Sequence, residues 1–272
     1  MGRVLIVAGS DSGGGAGIQA DVKTVTMLGG FAATAITALT AQNTLGVLGI
    51  EAVRPDFVAL QMEAVLTDIG ADAIKTGMLG SAAVVKQVAA TCRRLAPSVP
   101  LVVDPVMVAK GGARLLERSA EVALVSELVP MAALLTPNAP EAEALSGESL
   151  TDASSLERVA GRLLLLGSSA VLLKGGHLPG DEVEDCLLTA DGAVYRFRSP
   201  RLASRSTHGT GCTLASAIAA GIAEGLTLYD SVARARHYVL EAIRTAPGLG
   251  QGHGPLNHGH PLSGPEKAPH AN

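Results

Sequence analysis

The sequence predicts an α/β fold of three layers, with a mainly parallel central sheet between helices and a small antiparallel hairpin at one edge. Short β-branched or apolar runs alternate with longer stretches of helical period, and parallel strands need crossovers of that kind. Polar and glycine-rich clusters follow the apolar runs rather than precede them. Asp191-Gly192 lies between two strand-like segments, a hairpin signal because glycine accepts positive φ.

Val4–Val7 reads as a buried first strand. Ile18, Val22, Val25 and Leu28 are spaced by three and four residues and mark an amphipathic helix. Strands are expected at Thr34–Leu39, Ala73–Lys75, Leu101–Val103, Ala132–Leu135 and Ala170–Leu173. Helices are expected over Pro55–Asp68, Ala82–Leu95, Glu117–Leu128, Ala139–Leu145 and Ser155–Leu166. The hairpin joins Cys186–Thr189 to Ala193–Arg198, and helices fill Thr210–Glu224 and Leu228–Arg244. No repeat or linker divides the chain, so residues 1–260 are expected to form one domain. The tail from Pro247 is rich in Gly, Pro and His, and residues 261–272 are expected to be disordered.

Composition narrows the function. The chain of 272 residues is 47% hydrophobic and 17% charged, with three Phe, three Tyr and no Trp. Scarce aromatics argue against a base-stacking platform, and a formal charge of −4 argues against a phosphate-backbone binder. The first apolar run is too short for a signal peptide and stops at Gly9-Ser10-Asp11. No uninterrupted apolar run approaches a membrane span. Cys92, Cys186 and Cys212 are odd in number and widely spaced, which fits a reducing cytoplasm better than a disulfide framework or a zinc site.

In open α/β sheets, ligands sit beyond the carboxyl ends of the strands. Gly9–Gly17, Gln42-Asn43, Lys75–Gly77, Asp104, Asn138 and Lys174–Gly176 all follow strands and are expected to share that rim. Gly9–Asp21 is neither a dinucleotide fingerprint nor a Walker loop. Its glycines suit either a tight β-α turn or a nest of amides facing an anionic ligand. Gly209-Thr210-Gly211-Cys212 opens an apolar helix. Two glycines at a helix start leave N–H groups facing outward with the positive dipole end behind them, an anion hole suited to a transferring phosphoryl group. That field is expected to favour a Cys212 thiolate. Asp104, Asn138 and Glu141 suit a hard, oxygen-rich Mg²⁺ site, although Asp-Pro and Asn-x-Pro also make ordinary turns and caps. Lys174 is a natural phosphate partner beyond a buried strand. His253, His258 and His260 are read as part of a solvated terminus.

Together these segments resemble the ribokinase-like superfamily and, within it, the hydroxymethylpyrimidine/phosphomethylpyrimidine kinases of thiamine biosynthesis. The resemblance runs from Val4 to about His258. It is carried by Ala8–Thr24, Ile36–Thr44, Lys75–Leu79, Val103–Met107, Thr136–Glu141, Leu173–His177, Thr207–Thr213 and Gly252–His258. It implies two successive phosphorylations by ATP: of the hydroxymethyl group of 4-amino-5-hydroxymethyl-2-methylpyrimidine, then of the monophosphate. It further implies that Gln42 binds the aminopyrimidine edge, Gly9 and Asp21 hold the substrate, and Met78 and Val106 wall it. Lys174 and Gly209–Cys212 would grip ATP phosphates, with Asp104, Asn138 and Glu141 arranging Mg²⁺. The superfamily's usual base is Asp, and here Cys212 stands in its place, a departure shared with the pyrimidine-kinase branch. Relatives of this kind are commonly dimers. A pyridoxal kinase is the nearest rival, and a non-catalytic nucleotide or vitamin-precursor sensor is the alternative of a different class.

Overall fold

The computed structural model describes residues 1–108, 112 and 115–262. The chain begins with β1 (Arg3–Asp11), α1 (Gly17–Met27), β2 (Phe31–Asn43), β3 (Gly46–Ala52), α2 (Pro55–Asp68), β4 (Ala73–Thr76), α3 (Ala82–Leu95) and β5 (Leu101–Val103). It continues through α4 (Arg118–Ala123), β6 (Leu134–Leu135), α5 (Ala139–Ser146), α6 (Leu156–Leu164) and β7 (Ala170–Leu173). A hairpin of β8 (Glu182–Thr189) and β9 (Val194–Pro200) precedes α7 (Thr210–Ala223) and α8 (Leu228–Arg244).

The strands make one nine-stranded sheet in the order β3-β2-β1-β4-β5-β6-β7-β8-β9. Its centre, from β2 to β7, is parallel. The expected hairpin forms one antiparallel edge. A second antiparallel edge, β3 on β2, has no counterpart in the sequence reading. Gly46–Ala52 contains two glycines and an acid and buries none of its residues, so it carries no apolar alternation. Backbone pairing with the long β2 recruits it instead.

Strand alternation sorts the core into two halves. Val4, Ile6 and Ala8 of β1 pack with α1, α7 and α8. Leu5 and Val7 point the other way, toward α2, α3, α5 and α6. Central strands are therefore apolar on both sides, as a covered parallel sheet requires. Local chemistry sets several helix ends: Ser81 caps α3 by accepting from Val84 N–H, and Pro55 occupies the first turn of α2, where its missing N–H costs nothing. The helix expected over Glu117–Leu128 is regular only to Ala123 and then widens into a π turn at Leu124–Leu128. Pro130 follows in a 3₁₀ turn.

The tail also departs from expectation. Residues 250–258 form a strap rather than a solvated terminus. His253 N–H donates to Thr44 O at 2.9 Å, His208 N–H to Gly254 O at 3.1 Å, and Asn257 N–H to Ala242 O at 3.0 Å. His258 is buried, with Nε2 3.0 Å from Thr213 Oγ1 of α7. His260 Nε2 lies 3.1 Å from the Tyr238 carbonyl and its ring packs on that tyrosine. Pro261 and Leu262 complete a short 3₁₀ turn. The rest of the segment expected to be disordered, residues 263–272, lies outside the described residues.

Candidate active site

The carboxyl ends of the parallel strands bring the polar clusters to one rim. Asp11 ends β1, Gln42 lies near the end of β2, and Gly77-Met78 follow β4. Asp104 follows β5, Asn138 follows β6, and Lys174 follows β7, with Asn138 and Lys174 bridged through their backbones. The amino terminus of α7 reaches the same rim, because Lys174 Nζ would stand 3.3 Å from a Cβ placed on Gly211.

The glycine-rich turn after β1 is organised by its own carboxylate. Asp11 Oδ1 accepts from Gly13 N–H at 2.8 Å. Oδ2 accepts from Gly15 N–H at 3.1 Å, from Ala16 N–H at 2.8 Å, and from His208 Nε2 at 2.8 Å. The nest considered for a ligand anion is therefore filled internally. Burial alone would raise the Asp11 carboxyl, but His208 and the amides outweigh it and hold it below its ordinary value. Ser12 Oγ donates to Gln42 O at 2.8 Å and accepts from Gln42 N–H at the same distance. The Gln42 carboxamide lies between Thr40 Oγ1 at 3.2 Å and His208 Nε2 at 3.4 Å.

Gly209 starts α7 at φ 80°, and no side chain caps that end. A Cβ here would overlap the Gly15 carbonyl oxygen, so both the left-handed backbone and the close approach demand glycine. Cys212 follows in the first turn. It is only partly exposed, and the expected thiolate is not supported. Burial among protein atoms pushes the thiol up to about 11, Asp21 and Asp104 add to the rise, and Lys75 opposes it without prevailing.

Asp104 is buried and accepts from Lys174 Nζ at 3.0 Å and Thr136 Oγ1 at 3.0 Å. Burial would lower the Lys174 ammonium, but Asp104 and Glu141 outweigh it, so the lysine stays charged. Asn138 and Glu141 form a capping box on α5: Asn138 Oδ1 accepts from Glu141 N–H at 3.0 Å, and Glu141 Oε2 accepts from Asn138 N–H at 2.8 Å. Asn138 is thus engaged as a cap rather than directed at a cation. Glu141 is raised to about 7 by burial and by Asp104, against the pull of Lys174. Among the described residues no group of three or more His, Cys, Asp or Glu could enclose a metal. The donors present, Asp104 and Glu141, fit a hard cation that keeps waters and shares ligand phosphates, which is the habit of Mg²⁺.

Asp21 requires a correction. It was expected at the substrate, but it is fully buried, with Lys75 Nζ 2.9 Å from both carboxylate oxygens and Ser216 Oγ donating at 2.6 Å. Burial would lower the Lys75 ammonium, but Asp21, Cys212 and Asp104 hold it above its ordinary value. Met78 is buried below Gly9, where a Cβ would come 3.2 Å from its Sδ, and Val106 is partly exposed. Sequence reasoning assigned no role to His208, Thr40, Thr136 or Ser216. Each acts through a partner far away in the chain, which spacing cannot reveal. Lys75 did carry a signal, a lone cation closing an apolar strand.

Residues 11–257 match the family model described as phosphomethylpyrimidine kinase. The chain is 55% identical over 258 residues to the thiamine biosynthesis bifunctional protein ThiED of Geobacter sulfurreducens, covering 94% of this chain and 52% of that protein. It therefore spans about half the length of that relative. It is 52% identical over 256 residues to the hydroxymethylpyrimidine/phosphomethylpyrimidine kinase of Mycobacterium tuberculosis, covering 94% of this chain and 93% of the relative. Among solved structures, a phosphomethylpyrimidine kinase from Clostridium difficile superposes with a TM-score of 0.79 at 38% identity, covering 89% of this chain and 100% of the other. The ADP complex of Bacillus subtilis pyridoxal kinase superposes with a TM-score of 0.85 at 31% identity, covering 95% of this chain and 97% of the other. With these likenesses spanning nearly its whole length, the chain belongs to the phosphomethylpyrimidine kinase family.

Proposed function

We propose that this protein uses ATP to phosphorylate 4-amino-5-hydroxymethyl-2-methylpyrimidine and then its monophosphate, for thiamine biosynthesis. The observation that carries this reading is the uncapped amino terminus of α7 beside Lys174 and Asp104, with Gln42 joined to the same loop through His208. Amides of Gly209–Cys212 and the Lys174 ammonium suit the charge of a transferring phosphoryl group. Thr210 and Gly211 bind the nucleotide's phosphates. Gln42 offers one donor and one acceptor to the aminopyrimidine edge, Gly9 lets the ring approach the backbone, and Met78 and Val106 supply apolar walls. Asp21 acts from beneath, through Lys75 and Ser216, rather than by touching substrate.

Mg²⁺, when bound, neutralises charge on the phosphates, and Asp104 and Glu141 would hold it, partly through water, with Asn138 shaping the α5 start. Cys212 lies ready to accept the hydroxyl's hydrogen bond. Its thiol is pushed up to about 11, so Cys212 takes the hydroxyl's proton only in its minor thiolate form, as the oxygen–phosphorus bond to the substrate forms and the one to ADP breaks. The monophosphate is already anionic, so the second step depends on positioning alone.

Residues 1–260 work as one cytoplasmic domain, paired as a homodimer. Exposed Leu48 and Ile50 on β3, and Phe57 and Leu60 on α2, support that pairing. The likeness to pyridoxal kinases favours one second reading, phosphorylation of pyridoxal, which also offers a hydroxymethyl group on a nitrogen heteroaromatic ring. ³¹P NMR of the protein with MgATP and hydroxymethylpyrimidine is the test. Mono- and then diphosphate are expected. No turnover, with pyridoxal phosphorylated instead, would transfer the assignment to the second reading.

A further inference from the structure

Lys174 is followed by two glycines, and such a pair has little stiffness of its own. A Cβ placed on Gly176 would meet nothing, so packing does not hold that residue. Hydrogen bonds hold the turn instead. Lys174 N–H donates to Pro137 O at 3.0 Å, and Gly175 N–H to Asp185 Oδ1 of β8 at 2.8 Å. Asp185 is buried and is paired in turn with Arg236 of α8. A further anchor is Arg201, the residue directly after β9. Its Nε donates to Gly180 O at 2.6 Å, one terminal nitrogen to Gly176 O at 2.8 Å, and the other to Leu178 O. Its backbone N–H donates to Asp181 O at 2.7 Å. One side chain thus gathers three carbonyls from five residues, a spread that suits the planar fork of a guanidinium and not a compact ammonium. Among the described residues its side chain bonds only to carbonyls, so this cation shapes the turn rather than neutralising an acid.

We infer that Arg201 is a positioning residue for nucleotide binding: it fixes the turn after β7, and through it the place from which the Lys174 ammonium meets the phosphates of ATP. The inference rests on the proposed role of Lys174 at those phosphates. Arg201 also opens the connection that runs from β9 to Gly209. The turn beside the lysine and the segment leading to the α7 amino terminus are therefore joined at one residue. With the clamp removed, Lys174 keeps Asp104 as a partner, but the backbone behind it gains the freedom of two glycines. The loss falls on the nucleotide rather than on the pyrimidine. The proposed pyrimidine contacts Gly9, Gln42 and Met78 lie on β1, on β2 and just after β4, whereas this turn follows β7.

The test compares Arg201→Met and Arg201→Lys with the unmodified full chain. Calorimetry with Mg²⁺ and the β,γ-methylene analogue of ATP reads nucleotide binding without an acceptor, so the result does not depend on which acceptor is phosphorylated. Steady-state assays with hydroxymethylpyrimidine add the KM of each substrate. Both variants are expected to bind the analogue roughly 10- to 100-fold more weakly, the scale of one charge-assisted hydrogen bond. KM for ATP should rise with it, while KM for hydroxymethylpyrimidine stays within about twofold. Lysine should not rescue, because it restores the charge without the fork. Full rescue by lysine would overturn the inference, and so would equal losses for both substrates, the mark of a merely structural role. Should Arg201→Met fail to fold, Arg201→Lys carries the test in a double-mutant cycle. Added to Lys174→Met, it should weaken the analogue by no more than about twofold further. A loss as large as in the unmodified chain would mean that Arg201 acts independently of the lysine, which defeats the argument. Unchanged binding in Lys174→Met alone would strike the proposed role of Lys174, and this inference with it.

Discussion

Cys212 shows how far a single side chain departs from what its neighbours in sequence imply. A helix amino terminus lowers a thiol, but burial and two nearby carboxylates push this one up to about 11. Cys212→Ser should slow phosphorylation of the alcohol by roughly 100-fold, the scale of general-base assistance. The second phosphorylation should change by much less. Single-turnover assays with each substrate check this, and equal losses would remove Cys212 from proton handling. Lys75 and Asp21 make a different prediction. Both side chains are fully buried, so Lys75→Met strands a carboxylate in the core and should cost about 3–5 kcal/mol in urea unfolding. Adding Asp21→Asn should recover part of the loss, since the uncompensated charge is then gone.

At the scale of elements, the two glycine loops behave as one piece. Gly209 approaches the Gly15 carbonyl so closely that no Cβ fits, and Asp11 ties both loops through His208. Gly209→Ala should abolish turnover, and a circular dichroism spectrum that still shows folded protein would place the loss in the loop. The carboxy-terminal strap makes a pH prediction. Burial, with Lys23 and His260 nearby, lowers His258 to about 4 from an ordinary 6.5. The unfolded chain therefore binds the proton more readily than the folded one. The stabilisation is complete above about pH 6.5, declines as pH falls, and is spent near pH 4, a change of about 3 kcal/mol. Melting temperature against pH should be flatter across that window in His258→Phe. Identical slopes would remove His258 as the cause.

At the scale of the whole molecule, exposed apolar side chains gather at the β3 edge and on α2. If these pair two copies, light scattering should give twice the mass of one chain. Ile50→Lys with Leu48→Lys should shift it to one chain mass while the far-ultraviolet spectrum stays unchanged. A monomer in the unmodified protein would dissolve that reading. Helix and strand periods made most of the sheet legible, since Pro55–Asp68, Ala82–Leu95, Ala170–Leu173 and Leu228–Arg244 begin and end where expected. They failed at β3, an edge strand with no buried residue, and at the tail, whose order comes from partners on α7, α8 and the β2–β3 turn.

What the sequence by itself determined is the family, the parallel sheet and the rim on which the chemistry gathers. Those follow from local periods and from motif residues adjacent in the chain. Only the tertiary structure decided how those residues are employed. Asp21 went beneath the site because Lys75 and Ser216 meet it in the core. Asn138 became a cap because Glu141 completes its box. Asp11 and His208, 197 positions apart, came together to occupy the glycine nest. Protonation and hydrogen-bond polarity depend on such distant partners and on burial, and neither is a property of a residue's neighbours in the chain.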